Sequence, residues 1–255
     1  MSLDLRKAFD RVEHRALFEA LNRCDLPDCY IALIEQLYSH QRGSANGSDS
    51  FQINRGVKQG DVLSSILFNC VLDHAIAKWK LRIGNCGLLV QPATERLTNS
   101  RYADDIFVYA KSLNEAIFMM ETLVEELAKV GLSLNADKTK ILRGPIEDDG
   151  FDVSFVHIAS DLVEVLDVQS SHKYLGKQLT LRLHERSQCE VKHRIQRAWA
   201  SFHKHRKVLQ NQHIPLHLKL KFFNSLATPA IYLQFPLCHS INLNLKRFVL
   251  CSVKW

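Results

Sequence analysis

Proline and glycine are scarce, 6 and 10 of 255 residues, which excludes collagen-like, linker-like and low-complexity architectures. The 7 cysteines include no C-x-x-C pair and are odd in number, so neither a disulfide framework nor a zinc ribbon accounts for them. They read as reduced thiols of an intracellular protein, nuclear or cytoplasmic, and no signal peptide opens the chain. No apolar run reaches the roughly 18 residues of a membrane span, and no glycine-rich phosphate-cradling fingerprint occurs. Acidic residues nearly vanish from one region. Between Lys173 and Lys221 the chain carries Lys173, Lys177, Arg182, Arg186, Lys192, Arg194, Arg197, Lys204, Arg206, Lys207, Lys219 and Lys221 against Glu185 and Glu190 alone. Such an imbalance makes either a footprint for a polyanion or a solvated helix face.

What is present is an ordinary globular composition, 46% apolar and 24% charged with a net charge of +6, long enough for one large domain or two small ones. Ser2-Leu3-Asp4 reads as the end of a strand, followed by a turn into a helix through residue 22. Pro27 suits the first turn of a second helix over 28–38, with Tyr30, Ile31, Ile34 and Leu37 facing inward. The Asn46-Gly47 pair signals a hairpin whose return strand is 51–54. A loop bracketed by Gly56 and Gly60 leads into a long apolar helix over 62–80. A short strand at 88–90 precedes a hairpin centred on Asp104-Asp105. Ser112-x-x-Glu115 is a capping box opening a helix that Gly131 ends. Strands follow at 132–134, 141–142, 153–158 and 162–166, with an acidic turn at 144–150 between them. After a hairpin at Tyr174-Leu175-Gly176 the rest is helical, over 186–209, 215–226 and 243–253.

Strands and helices in this order describe an α+β fold, an antiparallel sheet with helices on one face. A domain boundary is expected at residue 182, giving domains 1–182 and 183–255. Within the first, Asp104 and Asp105 stand between Tyr102 and the strand-forming run Ile106-Phe107-Val108-Tyr109. Adjacent carboxylates on a half-buried turn raise each other's pKa, and a bound divalent cation offsets that cost. An Asp-Asp turn left in solvent is the other reading.

Successive stretches, Ser2-Leu3-Asp4-Leu5-Arg6-Lys7-Ala8-Phe9-Asp10, Gly56-Val57-Lys58-Gln59-Gly60-Asp61, Tyr102-Ala103-Asp104-Asp105, Asn135-Ala136-Asp137-Lys138-Thr139-Lys140 and His172-Lys173-Tyr174-Leu175-Gly176, resemble in order the motifs of reverse transcriptases of the non-LTR retrotransposon type. The resemblance covers nearly the whole chain. It implies a polymerase palm followed by an α-helical thumb-like region, and an RNA-directed DNA polymerase that extends a primer 3′-hydroxyl by two-metal-ion nucleotidyl transfer. The implied cofactor is a pair of Mg²⁺ ions, with Mn²⁺ as a substitute; the implied partners are an RNA template, a DNA primer and deoxynucleoside triphosphates. Asp4, Asp104 and Asp105 would hold the metals together with the Leu5 carbonyl, and Lys138 would protonate the leaving pyrophosphate. Phe9 matches the steric gate against a 2′-hydroxyl, or is a core aromatic. Gln59 and Gly60 match the loop beside the nucleotide, or form a structural turn. Tyr102 would pack beneath the primer end, or is a core tyrosine. Lys173 and Tyr174 match the primer grip, and Arg194, Arg197, Lys204 and Arg206 are candidate nucleic-acid contacts, with Trp199 and Phe202 as stacking or packing groups. Asp10 is read as a helix cap.

The sequence departs from the pattern at Val62 and Ser65, where related loops carry prolines. The basic fingers residues that would precede Asp4 are missing, so the resemblance implies a truncated retroelement copy. A catalytically inactive nucleic-acid-binding remnant is the alternative from another class, and an intron-encoded maturase would share the palm chemistry.

Overall fold

Alternating apolar and polar residues build the sheet of the first of two units into which the chain divides, Met1–Asp167 and Val168–Trp255. The structure, a computed structural model, describes residues 1–44, 50–90, 96–144, 154–167, 169–181 and 183–232. The expected Asn46-Gly47 turn, most of the acidic turn after Gly144 and the expected helix over 243–253 lie outside the described residues.

In chain order the first unit comprises β1 (Ser2–Leu3), α1 (Ala8–Arg11), α2 (His14–Leu21), α3 (Asp28–Ser39), β2 (Arg42–Gly43), β3 (Phe51–Gln52), α4 (Val62–Ile83), β4 (Leu88–Leu89), β5 (Arg96–Leu97), β6 (Asn99–Tyr102), β7 (Asp105–Val108), α5 (Leu113–Ala128), β8 (Lys140–Leu142), β9 (Phe155–Ile158) and β10 (Asp161–Leu166). Six strands form one sheet in the order β6-β7-β1-β8-β10-β9. Short β1 lies inside it, antiparallel to β7 through Ser2↔Phe107 and Leu3↔Ile106 and to β8 through Ser2↔Lys140. Leu3, Leu5, Ile106, Val108, Ile141, Val163 and Val165 are buried because the period of two sends them to the face that the helices cover. Asp4, Asp105 and Phe107 alternate with them and are only partly covered.

The sheet is mixed rather than wholly antiparallel. β10 runs parallel to β8, pairing Glu164↔Lys140 and Val165↔Ile141. β9 occupies the outer edge and forms a hairpin with β10, so the chain leaving β8 crosses to that edge before turning back. The strand expected at 132–134 is reduced to a single bridge, Leu5↔Leu134.

The helix expected through residue 22 is broken between α1 and α2. At the break the Val12 carbonyl accepts from Gly56 N (2.7 Å) and Glu13 N donates to the Val130 carbonyl (3.1 Å), so backbone groups that would have extended the helix are committed to tertiary bonds. α3 also differs from expectation. Ile31 and Tyr38 are its buried residues, whereas Tyr30 and Leu37 are exposed. Asp61 caps α4 by accepting from Leu63 N at 3.1 Å, which replaces the start that a proline gives elsewhere. Deep in the core the fully buried Trp79 of α4 donates its Nε1 hydrogen to the Met119 carbonyl of α5 at 2.9 Å. The box at α5 is half formed. Ser112 Oγ accepts from Glu115 N, but the Glu115 carboxylate accepts from Lys111 N and Gly87 N, both at 2.8 Å, and so ties the segment before β4 to the helix.

The second unit contains β11 (His172–Tyr174), β12 (Lys177–Leu179), α6 (Leu183–Lys204), α7 (Arg206–Leu209) and α8 (Leu216–Tyr232). The β11–β12 hairpin pairs Tyr174↔Lys177, and its two turn residues, Leu175 and Gly176, both have positive φ, 47° and 77°, the conformation that matches strand twist. By contact this hairpin groups with the helices that follow it, because the division falls after Asp167. Phe202 of α6 is buried and meets Phe223 of α8 edge-on, ring centroids 6.4 Å apart.

Candidate active site

Sheet register brings two segments more than a hundred residues apart in sequence to one place. β1 and β7 pair as far as Leu3↔Ile106, and Asp4 and Asp105 are the next residues along the two strands. Both residues are only partly covered, and the charge of Asp4 bears on the Asp105 carboxyl. β6 and β7 pair up to Tyr102↔Asp105, so Ala103 and Asp104 are the whole turn. Ala103 has φ 53°, a left-handed conformation that an L-residue holds only under local constraint.

Burial first, then the charges of Asp104 and Asp4, hold the Asp105 carboxyl above the ordinary aspartate range, with Lys138 opposing them. The four side chains therefore share one electrostatic environment. Asp4 is the better satisfied of the carboxylates. Its Oδ2 accepts from Asn135 Nδ2 at 2.9 Å and lies 3.6 Å from Lys138 Nζ. The strand end is fixed by backbone as well: the Asp4 carbonyl accepts from Asn135 N at 2.9 Å, and Asp4 N donates to Thr139 Oγ1 at 3.3 Å. Thr139 is fully buried and donates in turn to the Asn135 carbonyl at 2.8 Å. Asn135 and Thr139 were not assigned roles from sequence. Their signal was the spacing Asn135-x-x-Lys138-Thr139, which turns amide, ammonium and hydroxyl toward one strand end.

Leu5 has a buried side chain. Its bridge to Leu134 is flanked by the bonds Arg6 N to Ser133 O and Asn135 N to Asp4 O. In that non-hydrogen-bonded pairing the Leu5 N–H and C=O point away from Leu134, toward the side where β7 lies. Among the described residues no three His, Cys, Asp or Glu side chains are gathered closely enough to enclose a metal ion. The donor set still suits a hard cation, since carboxylate and carbonyl oxygens with water completing the shell are what Mg²⁺ takes.

Phe9 is half buried and stacks on the fully buried Phe68, ring centroids 4.7 Å apart and planes 22° from parallel. It is thus anchored in the core on one side and open on the other. The loop after Arg55 is fastened to the same segment. Val57 N donates to the Phe9 carbonyl at 2.7 Å, His14 Nε2 lies 2.9 Å from the Gly56 carbonyl oxygen, and Gln59 Nε2 donates to Asp10 Oδ1 at 3.1 Å. Gly56 has φ 91°, and a Cβ there would sit 2.8 Å from the Asp10 carbonyl oxygen. Asp10 is consequently no helix cap. It lies inside α1, which Lys7 precedes without a side-chain bond, and it orients the Gln59 amide. Gly60 has φ 89° and open space where a side chain would be. Tyr102, 70% exposed at the hairpin tip, is a surface residue rather than a core tyrosine.

The remaining candidates belong to the second unit. Lys173, Arg197, Lys204 and Arg206 are exposed and Tyr174 is half buried. Arg194 is 7% exposed and has a partner of its own, so the expectation of a nucleic-acid contact there is corrected to a structural arginine. It falls on the buried side of α6 with Ala198 and Phe202, at the helical spacing of three to four residues. Phe202 packs; Trp199 is half buried, edge-on to Phe202 and stacked on His203.

A central sheet with helices packed on one face agrees with the palm fold expected from the sequence. Residues 1–179 match the family described as reverse transcriptase (RNA-dependent DNA polymerase), and the chain belongs to that family. It is 30% identical over 188 residues to the Pol polyprotein of the type-2 retrotransposable element R2DM of Drosophila melanogaster, covering 70% of this chain and 17% of that protein. It is likewise 30% identical over 189 residues to the Pol polyprotein of the type-1 retrotransposable element R2 of Popillia japonica, covering 69% of this chain and 26% of that protein. The chain thus spans about a quarter or less of the length of these relatives. Among solved structures, telomerase from Candida albicans aligns over 94% of this chain and 41% of its own, with 15% identity and a TM-score of 0.36. No helix among the described residues is long and apolar enough to cross a membrane.

Proposed function

We propose that this chain carries the palm site of an RNA-directed DNA polymerase, and that Asp4, Asp104 and Asp105 with the Leu5 carbonyl hold two Mg²⁺ ions, or Mn²⁺ in their place. The observation that supports the reading is that burial, then the charges of Asp104 and Asp4, raise the Asp105 carboxyl, so that three carboxylates bear on one another where β1 ends and β7 begins. When bound, the metal pair would activate the primer 3′-hydroxyl and neutralise the leaving pyrophosphate. The protein's own contribution is placement. The Thr139 and Asn135 bonds fix the Asp4 strand end, and the Ala103 turn fixes Asp104. Lys138, 69% exposed and 3.6 Å from Asp4, has the freedom to follow a leaving group and act as its general acid.

Phe9, backed by Phe68, would crowd a ribose 2′-hydroxyl. Gln59 and Gly60 border the nucleotide, and Tyr102 supports the primer end. Lys173 and Tyr174 grip the primer, and Arg197, Lys204 and Arg206 meet phosphates of the RNA template and DNA primer. The reading places the protein inside the cell, in nucleus or cytoplasm; among the described residues the cysteines Cys24, Cys29, Cys70, Cys86 and Cys189 are free, which suits a reducing compartment.

Primer extension on poly(rA) with oligo(dT), deoxythymidine triphosphate and Mg²⁺ tests the reading. Extension is expected from the chain and none from Asp104→Ala; equal activity of the two would sink the mechanism. A nucleic-acid-binding remnant without catalysis is the second reading, favoured by the engagement of the Asp4 carboxylate with Asn135 and Lys138. It predicts salt-dependent RNA binding in both chains and extension in neither.

A further inference from the structure

We propose that Cys24, just past the end of α2, and Cys70, on α4, form a reversible disulfide latch that pins the turn between α2 and α3 to the core when a low-molecular-weight disulfide is present as oxidant. The two helices pack against each other, and Leu17 and Leu21 of α2 share a buried cluster with Leu67, Phe68 and Val71 of α4. Where α2 ends, Arg23 Nη1 stands 3.4 Å from His74 Nδ1. Cys24 follows Arg23, and Cys70 lies one helical turn before His74 on the same face of α4, so this contact brings the two thiols together. They are within hydrogen-bonding reach of each other. Cys24 is exposed and open to an oxidant, whereas Cys70 is half buried. The Cys24 thiol also donates to the Ala20 carbonyl at 3.3 Å, a weak bond whose loss on oxidation is small.

The turn is a segment that such a bond would hold. Residues 22–30 are all exposed, and Asp25 carries a left-handed φ of 51°. α2 finishes on the backbone bonds Asn22 N to Phe18 O, Arg23 N to Ala20 O and Cys24 N to Leu21 O, 3.0 to 3.1 Å long. Solvent lies beside all three, and bonds of this kind open first in local unfolding. Closing the latch takes two exchange steps. The Cys24 thiolate attacks one sulfur of the oxidant, forms a mixed disulfide and expels a thiolate, which takes up a proton. Cys70 then gives its proton to water and attacks Cys24 Sγ, which closes the protein bond and expels the second thiolate, protonated in turn. Two protein thiols are oxidised and one small disulfide is reduced to two thiols. Burial first, then the hydrogen bond and charge of Cys24 and the charge of Asp73, push the Cys70 thiol up to about 11. That suits the resolving partner, seldom ionised but strongly nucleophilic once it is. In a reducing compartment the latch stays open, and it closes as the thiol poise turns oxidising.

No step involves the palm carboxylates, and the test does not depend on catalysis. The full chain is treated with oxidised glutathione under native conditions, its remaining thiols are blocked with N-ethylmaleimide, and its tryptic fragments are weighed by mass spectrometry. Fragments 24–42 and 59–78, which carry Cys24 with Cys29 and Cys70 respectively, are expected to be joined in the parent and in Cys29→Ser, separate in Cys24→Ser, and released by dithiothreitol. Closing is expected to raise the thermal midpoint by about 4 °C or more and to slow hydrogen exchange at Asn22, Arg23 and Cys24 about tenfold or more. Cys24→Ser, a change at an exposed position with parental circular dichroism, is expected to show neither effect. A bond from Cys24 to Cys29 within fragment 24–42, or Cys24 left as its glutathione adduct, overturns the pairing. Joined fragments with an unchanged midpoint and unchanged exchange overturn the latch, because the bond would then tie nothing that the fold had left loose.

Discussion

Two acidic clusters in the first unit meet their surroundings in opposite ways. On the helix side Glu126, 2% exposed, accepts from Arg82 Nη1 at 2.8 Å and from Lys129 Nζ at 2.6 Å, while Glu125 takes Arg82 Nη2 at 2.6 Å. Burial alone would raise the Glu126 carboxyl, but its hydrogen bonds to Lys129 and Arg82 outweigh that and hold it below the ordinary range. On the open face Asp105 is pushed the other way, by burial and by Asp104 and Asp4, against Lys138 alone. The first cluster is complete within the fold. Among the described residues the second has more negative charge than partners for it, and a group left in that state is a candidate for a functional one.

The largest expected effect sharpens this contrast. Asp104→Asn should abolish primer extension, by about a thousandfold or more if several kcal/mol of metal-held stabilisation is lost. The same change should leave the thermal midpoint equal or raised, since it removes repulsion at Asp105. A clear fall in midpoint would show that the open-face cluster is structural and break the comparison.

Glu126→Gln should do the reverse. It keeps the shape but loses two charge-assisted bonds, and about 1.5 to 3 kcal/mol of stability is expected to go with them in urea unfolding at neutral pH. The pH dependences should cross as well. Glu126 has a folded-state pKa below the unfolded value of 4.5, so its contribution is present above that pH and is lost as pH falls through the folded value. Asp105 has a folded-state pKa above 3.8; it binds more protons folded than unfolded, so its contribution declines as pH rises from 3.8 through the raised value. Unfolding free energies of the parent minus Glu126→Gln should therefore shrink on acidification below 4.5. The parent minus Asp104→Asn should become less favourable on going from acid to neutral pH. Parallel curves would mean that the two clusters do not differ.

Much of this was legible in the sequence because it is local. Val, Ile and Phe flanking Asp104-Asp105 announce a hairpin, and the order of Asp4, Gln59-Gly60, Asp104-Asp105 and Lys138 announces the family that residues 1–179 match. What was not legible depends on distant partners. Nothing near Val12 and Glu13 reveals that Gly56 and Val130 take their backbone groups and split the helix. Asp10 looks like a cap because Gln59, which it holds, is 49 residues away. The outward turn of Tyr30 and Leu37 has no local signal, since an apolar residue on a helix is read as inward until the neighbouring surface is known. Arg194 was misassigned for a related reason: charge density marks the basic stretch but not which of its residues lies on the packed side of α6.

The smallest expected effect supplies the zero point for both clusters. Asp73 of α4 pairs with Arg101 of β6 at 2.8 Å, with the two side chains 70% and 30% exposed. The bridge lies on the strand that leads into the Asp104 turn, yet its carboxylate is neither crowded by other acids nor enclosed with its partner. Solvent screens such a pair, and ordering two side chains offsets most of the Coulomb gain. Asp73→Asn is therefore expected to change stability by less than about 0.5 kcal/mol and to leave primer extension at the parental rate. A large loss of extension without loss of stability would mean that Arg101 sets the hairpin geometry. Charge balance at Asp4, Asp104 and Asp105 would then be insufficient to define the site, because the turn would depend on a partner outside it.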